Sequence, residues 1–415
     1  MPAPAVKVEL GLNLGNRDPN GFMLNNATRG LLDNTSFTLG GDRFFDISDR
    51  LIATSTARGK NQALDRIDAG TSSIVVDNSD RHFDPLYPDG PYFSQLIPRR
   101  TVRITCNDSP VFIGAIDDFD IVYAPSNRSQ VRIDVSDAFS TLTNSGLDEF
   151  TPTSELSGAR VNAVLDRPEV NWPAADREID TGNSTMLGAL VAEGTSVLDY
   201  LQLVSNSEFG DLFIGKDGKI VFRERNAVPN TPNLVFTDEI ISNVYQGIQF
   251  ASVNNVYGSE NLYNRILITN ASSPPLEATS ADTDSQTIYG PRSFSQSNLL
   301  VASQSELQFL ADYLLARFKE PQYRFEAVTV VMDTLTEANQ DSVLDLEIGD
   351  IVQVRFEPSD IPPAIEQYVR IIGISHDWTS ASKNITFALE RLDFSIFILD
   401  NAVLGVLDED RLAYE

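Results

Sequence analysis

The sequence predicts a mainly β chain in which two β-barrel-like domains flank a small α+β domain. Three observations carry this. Residues 1–150 and 233–393 hold short runs rich in Val, Ile and Thr that alternate apolar and polar, bounded by Gly, Pro, Asn and Asp. Residues 151–232 switch to helical spacing and a hairpin signal. The length of 415 residues, at about 150 per domain, suits two or three domains, and 42% hydrophobic residues suffice for a sizeable core.

The stretch DAGTSSIVVDNSDRHFDP, residues 68–85, shows the local logic of the first domain. From Thr71 to Asn78, Ile74 and Val76 point one way and Ser73, Val75 and Asp77 the other, as in a strand. Asn78-Ser79-Asp80 and Asp84-Pro85 then supply turns, because Asn and Asp side chains bond nearby backbone and Pro fixes φ. TVRITCN, residues 101–107, places Val102, Ile104 and Cys106 on one face, which makes Cys106 a small core residue. VFIGAI (111–116) and VRIDV (131–135) continue the strands.

In the middle domain SGARVNAVLDR (157–167) reads as a helix. Ser196 with Asp199 forms a capping-box pattern before SVLDYLQLVSNSE, whose Val197, Leu201 and Val204 share a face. GDLFIGKDGKIVFRER follows as two strands joined at Asp217-Gly218, a dipeptide suited to a two-residue hairpin turn.

The third part reads as strands at NLVFTDEIIS, VNNVYGSENLYNRILIT, RFEAVTVVM, DIVQVRF, QYVRIIGI and NITFALERL. Residues 270–297, rich in Ser, Thr, Asp and Pro, read as an exposed loop. One helix is expected over about 304–319: Ser303 and Glu306 form a second capping-box pattern, and Leu307, Leu310, Ala311, Leu314 and Phe318 make its stripe before Pro321. The tail 394–415 begins apolar, ends acidic and is expected to pack on a neighbouring subunit or a fibre.

The two β-rich parts echo each other. VRIT, FIGAIDDF and VRIDVSDAF in the first resemble VQVRF, RIIGISHDW and ITFALERLDF in the second. Gly114 and Gly373 each precede an Asp-aromatic pair, Asp118-Phe119 and Asp377-Trp378, at the same spacing. The glycines are expected at bulges or bends of a barrel corner, and the two aspartates on the solvent side of their strands.

Charge narrows the possible functions. With 59 acidic against 31 basic residues the chain carries −28, so its mean field repels phosphates and anionic lipid. Wrapping DNA is thereby disfavoured, whereas lining a path that DNA passes without sticking is allowed. The lone Cys106 excludes an intrachain disulfide, and two histidines far apart, His82 and His376, found no metal site. No run approaches the roughly 18 apolar residues of a membrane span, and no leader pattern opens the chain, so assembly in a cytoplasm is expected.

The order of these motifs carries a resemblance. LDRIDAGTSSIVVDNSDRHFDP with GPYFSQLIPRRTVRI and VFIGAIDDFDI resembles the N-terminal pattern of minor tail proteins of long-tailed bacteriophages. SVLDYLQLVSNSEFGDLFIGKDGKIVFRER resembles their middle segment, and LEIGDIVQVRF with YVRIIGISHDW their C-terminal barrel. That family is similar to the baseplate hub proteins of contractile-tailed phages, trimers of two-barrel chains at the end of the tube. The resemblance implies a homotrimeric tail-tip hub in the virion. Its partners would be the distal tail protein or the tail-tube hexamer, the tape measure protein and a tail fibre, with phage DNA passing through the lumen.

Two other functional classes would leave different marks in the sequence. A cell-wall hydrolase would need paired carboxylates facing one sugar, yet Asp117-Asp118 are adjacent on a strand and Asp408-Glu409-Asp410 lie in the tail. Neither histidine sits in a catalytic motif, and GKDGK lacks the ligand order of a calcium loop. No catalytic residue, metal or cofactor is expected. A carbohydrate-binding adhesin would present loop aromatics, for which Tyr87, Tyr92, Trp172 and Tyr289 are candidates, with core or interface anchoring as the plainer role.

Overall fold

The computed structural model describes residues 3–13, 24, 26–31, 43–62, 64–125, 128–225, 232–238, 247–361 and 363–392. The tail from 394 and the end of the expected strand NLVFTDEIIS lie outside the described residues.

The first unit contains β1 (Val6–Leu12), β2 (Arg43–Asp46), β3 (Leu51–Gly59), β4 (Thr71–Asp77), β5 (Thr101–Cys106), β6 (Ser109–Val122) and β7 (Gln130–Ser136). They pair antiparallel in the order β2-β1-β5-β6-β7-β4-β3. The end strands β2 and β3 are consecutive in sequence, joined by one 3-10 turn at Ser48–Arg50, so the sheet curls until its ends meet there. Alternation decides the core: Ser72, Ile74 and Val76 of β4 and Val102, Ile104 and Cys106 of β5 point inward. Between β4 and β5 the polar side chains serve the backbone as turn chemistry requires. Asn78 Oδ1 accepts from the Phe83 N–H at 2.8 Å and Asp84 Oδ1 from the Leu86 N–H at 2.8 Å.

The middle of the chain holds α1 (Phe139–Thr143), β8 (Gly146–Leu147), β9 (Glu155–Leu156), α2 (Ser157–Leu165), β10 (Arg177–Ile179), β11 (Thr185–Met186), β12 (Thr195–Ser196), α3 (Val197–Glu208), β13 (Asp211–Ile214) and β14 (Ile220–Arg223). Residues 139–150 associate with this α+β part, because β8 pairs with β12, Phe150 bridges Val191, and Phe139 and Leu142 are buried where α1 meets α3. Ser196 caps α3 through the Asp199 N–H at 3.4 Å, and Val197, Leu201 and Val204 are all fully buried. The hairpin lies where expected but its loop is longer. Gly215 N–H donates to the Lys219 carbonyl at 2.8 Å, leaving Lys216, Asp217 and Gly218 as a three-residue loop with Gly218 at φ +86°.

The remainder contains β15 (Leu234–Thr237), β16 (Ile248–Gln249), β17 (Ser252–Gly258), β18 (Arg265–Asn270), β19 (Glu277–Ala281), α4 (Thr283–Tyr289), β20 (Ser293–Leu299), α5 (Gln304–Phe318), β21 (Gln322–Val331), α6 (Glu337–Asp345), β22 (Ile351–Phe356), β23 (Ile365–Thr379) and β24 (Lys383–Arg391). The expected loop at 270–297 is therefore structured. It folds as β19, α4 and β20, and β19 and β20 flank β18 in a three-stranded sheet. α5 covers that sheet, its predicted stripe Leu307, Leu310, Ala311, Leu314 and Phe318 packing on Ile266, Ile268, Ala278 and Leu299 in a core of its own. Among the described residues three α-helices, not one, thus lie in this part. Ser303 caps α5 through the Glu306 N–H at 3.2 Å.

The other strands form a second barrel-like unit in the order β16-β15-β22-β23-β24-β21-β17. Its end strands β16 and β17 are again consecutive in sequence, separated by Phe250 and Ala251. Numbered by position within each unit, both sheets read 2-1-5-6-7-4-3. They differ in the first strand: β1 is antiparallel to β2 and β5, whereas β15 is parallel to β16 and β22. Antiparallel pairing of β3 with β23 fuses the two units into one 14-stranded sheet. Among the described residues no helix is long and apolar enough to cross a membrane.

Candidate assembly surfaces

The junction between the units is built by one strand overhanging its neighbour. β22 pairs with β23 only as far as Arg370, and the Gly349 N–H donates to the Ile371 carbonyl at 2.8 Å to close that ladder. A bulge between Ile371 and Gly373 then bends β23, and β3 occupies the edge from Gly373 to Thr379. The side chains so enclosed are polar or aromatic, and the buried Thr54 Oγ1 and Trp378 Nε1 make no hydrogen bond. Thr56 Oγ1 and His376 Nδ1 lie 2.7 Å apart, both buried, and the His376 ring meets Trp378 edge-on at 4.8 Å. Burial, with Arg58 and Lys216 nearby, pushes the His376 imidazole down to about 3, so it is neutral.

Beside this seam runs a chain of buried charges that no local sequence signal marks. Lys60 Nζ is 2.7 Å from Asp211 Oδ1, and Arg370 Nη1 is 3.3 Å from Asp211 Oδ2. Arg370 Nη2 meets Glu390 Oε2 at 2.7 Å, and Arg317 Nη2 meets Glu390 Oε1 at 2.6 Å. Burial alone would raise the Asp211 carboxyl, but Lys60 and Arg370 outweigh it and hold it down at about 2. Five segments, from the end of β3 through β13, α5 and β23 to β24, are tied by these contacts. A second tie is Glu347, which accepts from Arg58 Nη1 at 2.8 Å and from the Lys216 N–H at 2.8 Å. Lys216 itself donates to the Leu344 and Asp345 carbonyls, each at 2.7 Å, where a cation suits the C-terminus of α6. The hairpin loop thereby locks the middle part onto the second barrel.

The residues singled out by sequence are scattered across this frame. Cys106 is buried in the first barrel and its thiol is pushed up to about 12 by burial. His82 packs in an aromatic group with Phe83 and Tyr92, its imidazole lowered by burial and by Arg50. Asp118 and Asp377 face solvent as expected, and Asp117, at a bulge, is also exposed rather than turned inward. Asp217 in the hairpin pairs with Lys219, which also reaches Glu178. Of the aromatics, Tyr92 is core, Trp172 donates to the Asp176 carbonyl at 3.0 Å, Arg81 lies over Tyr87, and Tyr289 is exposed on α4 beside Ile288. Among the described residues no group of His, Cys, Asp or Glu is arranged to hold a metal ion. A surface cleft between α5, β17 and β21 holds Glu260 and Glu326 paired with Arg324 at 3.4 and 2.8 Å.

Gly114 and Gly373 are both places of close approach: an added Cβ would lie 2.5 Å from the Ser136 carbonyl oxygen and 2.6 Å from that of Lys60, respectively. Each lies near a bulge in its long strand, but the bulges themselves follow Ile116 and Ile371. The Ile116 N–H and carbonyl bond Arg100 and Arg99 as those of Ile371 bond Asp350 and Gly349. The structural equivalence is therefore Ile116 with Ile371. The spacing of the glycines identified the right strands and missed the register by four residues, because close approach and bulge fall at different points in the two units.

No protein-family model and no curated protein matches the sequence. Solved structures do match along almost the whole chain. A tail protein from Neisseria meningitidis MC58 superposes with a TM-score of 0.61 at 12% identity, covering 94% of this chain and 97% of that one. The 43 kDa tail protein of prophage MuSo2 from Shewanella oneidensis gives 0.54 at 12% identity over 93% and 97%. Prophage tail protein gp18 from Listeria monocytogenes EGD-e gives 0.50 at 13% identity over 93% and 95%. In its β-rich architecture, along almost its whole length, the chain has the fold of phage and prophage tail proteins.

Proposed function

We propose that the chain is a structural hub protein of a bacteriophage tail tip, acting without catalysis as part of the virion. Three copies form a ring that adapts a sixfold tail tube to a threefold tip. The observation that carries this reading is the repeated strand order. A closed ring of three chains offers six similar barrel units to a sixfold neighbour, with residues of about 1–150 and 233–393 in alternate positions and the 151–232 part projecting. Its neighbours are the distal tail protein or tube hexamer on one side and fibre or other tip proteins on the other, with the tape measure protein and DNA passing through.

The acidic balance supports a conduit role. A lumen biased negative repels DNA over a screening length of about 8 Å at physiological salt, so the nucleic acid slides without adhering. A reconstruction of the intact tail tip tests both statements. Three copies of this chain around an acidic lumen are expected, whereas six copies, or a neutral or basic lumen, would overturn the adaptor or the conduit respectively.

A further inference from the structure

The internal repeat leaves two strand edges unmatched. Tracing the ladders gives equivalent rows: Asp118, Asp134, Ser73 and Ser55 across β6, β7, β4 and β3, and Gly373, Ala388, Ala327 and Asn254 across β23, β24, β21 and β17. In the second unit the overhang of β23 is filled by β3. In the first unit β6 has the same overhang: β5 reaches Ala115, the Arg99 and Arg100 backbone closes on Ile116, and the edge beyond carries no strand among the described residues. The equivalent of β3 is β17, which pairs with β21 on one side and with no described strand on the other.

We infer that β17 of one copy pairs antiparallel with the β6 overhang of a second copy, repeating between chains the β3–β23 junction seen within one. This rests on the ring proposed above and specifies how it closes. The chemistry of the edges suits it. β17, SVNNVYG, has no charge and no proline, the devices that normally blunt an exposed edge, and Tyr257 is 70% exposed. The overhang is exposed at Asp117, Asp118, Asp120 and Val122, so an uncharged strand meets an acidic one without repulsion. Register follows from the repeat. Ser55 faces Asp377, four residues beyond Gly373, so Asn254 faces the residue four beyond Asp118, which is Val122.

The test places cysteines at these two exposed positions in one chain, Val122→Cys with Asn254→Cys. Under mild oxidation the double variant is expected to give a covalent ladder of chain multiples on a non-reducing gel, while either single variant gives none. A second variant, Asn254→Asp with Asn255→Asp, should weaken self-association measured by sedimentation about tenfold or more at low salt, since the added carboxylates would then lie against the acidic overhang, with position 254 diagonal to Asp120 on the same face. Adding Asp118→Lys and Asp120→Lys should restore it. Melting curves matching the unsubstituted chain establish that each variant folds. A chain that stays monomeric at the highest attainable concentration, a ladder from a single-cysteine variant, or association indifferent to the Asn→Asp changes would each overturn the junction. The ring itself stands or falls separately, on the copy number in the tail tip.

Discussion

Gly59 and Gly373 face each other where β3 meets β23, and a Cβ on Gly59 would sit 2.3 Å from the Ile372 carbonyl oxygen and 2.6 Å from the Gly373 Cα. Gly59 also has φ +92°, a region that costs other residues roughly 1–2 kcal/mol. The fusion of the two barrels depends on this approach of bare backbones. Gly59→Ala is expected to destabilise the chain by more than that conformational cost, read as a lower midpoint in chemical denaturation. An unchanged midpoint would mean that the seam can open without penalty.

Asp211 is the centre of the buried charge chain, so its replacement should be costly. Asp211→Asn leaves Lys60 and Arg370 with one fewer anion, and breaking a buried pair in this way typically costs about 3–5 kcal/mol at neutral pH. Its carboxyl is held at about 2, below the unfolded value near 3.9, so its contribution is complete above about pH 4 and vanishes as pH falls toward 2. The stability difference between wild type and Asp211→Asn should therefore shrink across that window. A difference constant from pH 5 to pH 2 would contradict it.

His376 is expected to resist protonation in the folded chain. Its folded value of about 3 lies below the unfolded value near 6.5, so stability is full above about 6.5 and declines as pH falls toward 3, by up to about 1.4 kcal/mol per unit. Replacement by Asn should remove that slope. With two histidines in the chain, the ring resonances can be assigned by this one variant. The His376 signal should stay constant from pH 8 to pH 5, and titration near 6.5 would show the seam to be open to water.

The Cys106 thiol reports on the first barrel. Buried and raised to about 12, it should react with a maleimide at pH 8 far more slowly than a free thiol and become reactive on unfolding. Rapid labelling of the native chain would mean that β5 opens locally.

Ser303 is a cap whose worth can be measured. Ser303→Ala removes the acceptor for the Glu306 N–H and should cost about 1 kcal/mol, with Ser303→Asp largely restoring it. A neutral effect of the Ala variant would place the stability of α5 wholly in its packing.

What the sequence determined is local. α5 was legible because its cap, its apolar stripe and its terminating proline all lie within one short segment, and each acts on neighbours one turn away. The strands around Ile74 and Ile104 were legible because alternation is itself the physical cause of burial on one face. β19 and β20 were missed for the same reason in reverse: as edges of a small sheet covered on one face they bury little beyond Ala278 and Leu299, so no alternating apolar pattern marks them. Only the tertiary structure decided how the units meet. The pairing of β3 with β23, the neutral His376 beneath it and the chain from Lys60 through Asp211 to Arg317 join elements that are far apart in sequence. Their energies come from desolvation and Coulomb attraction in a shared interior, which exist only once the barrels have closed on each other.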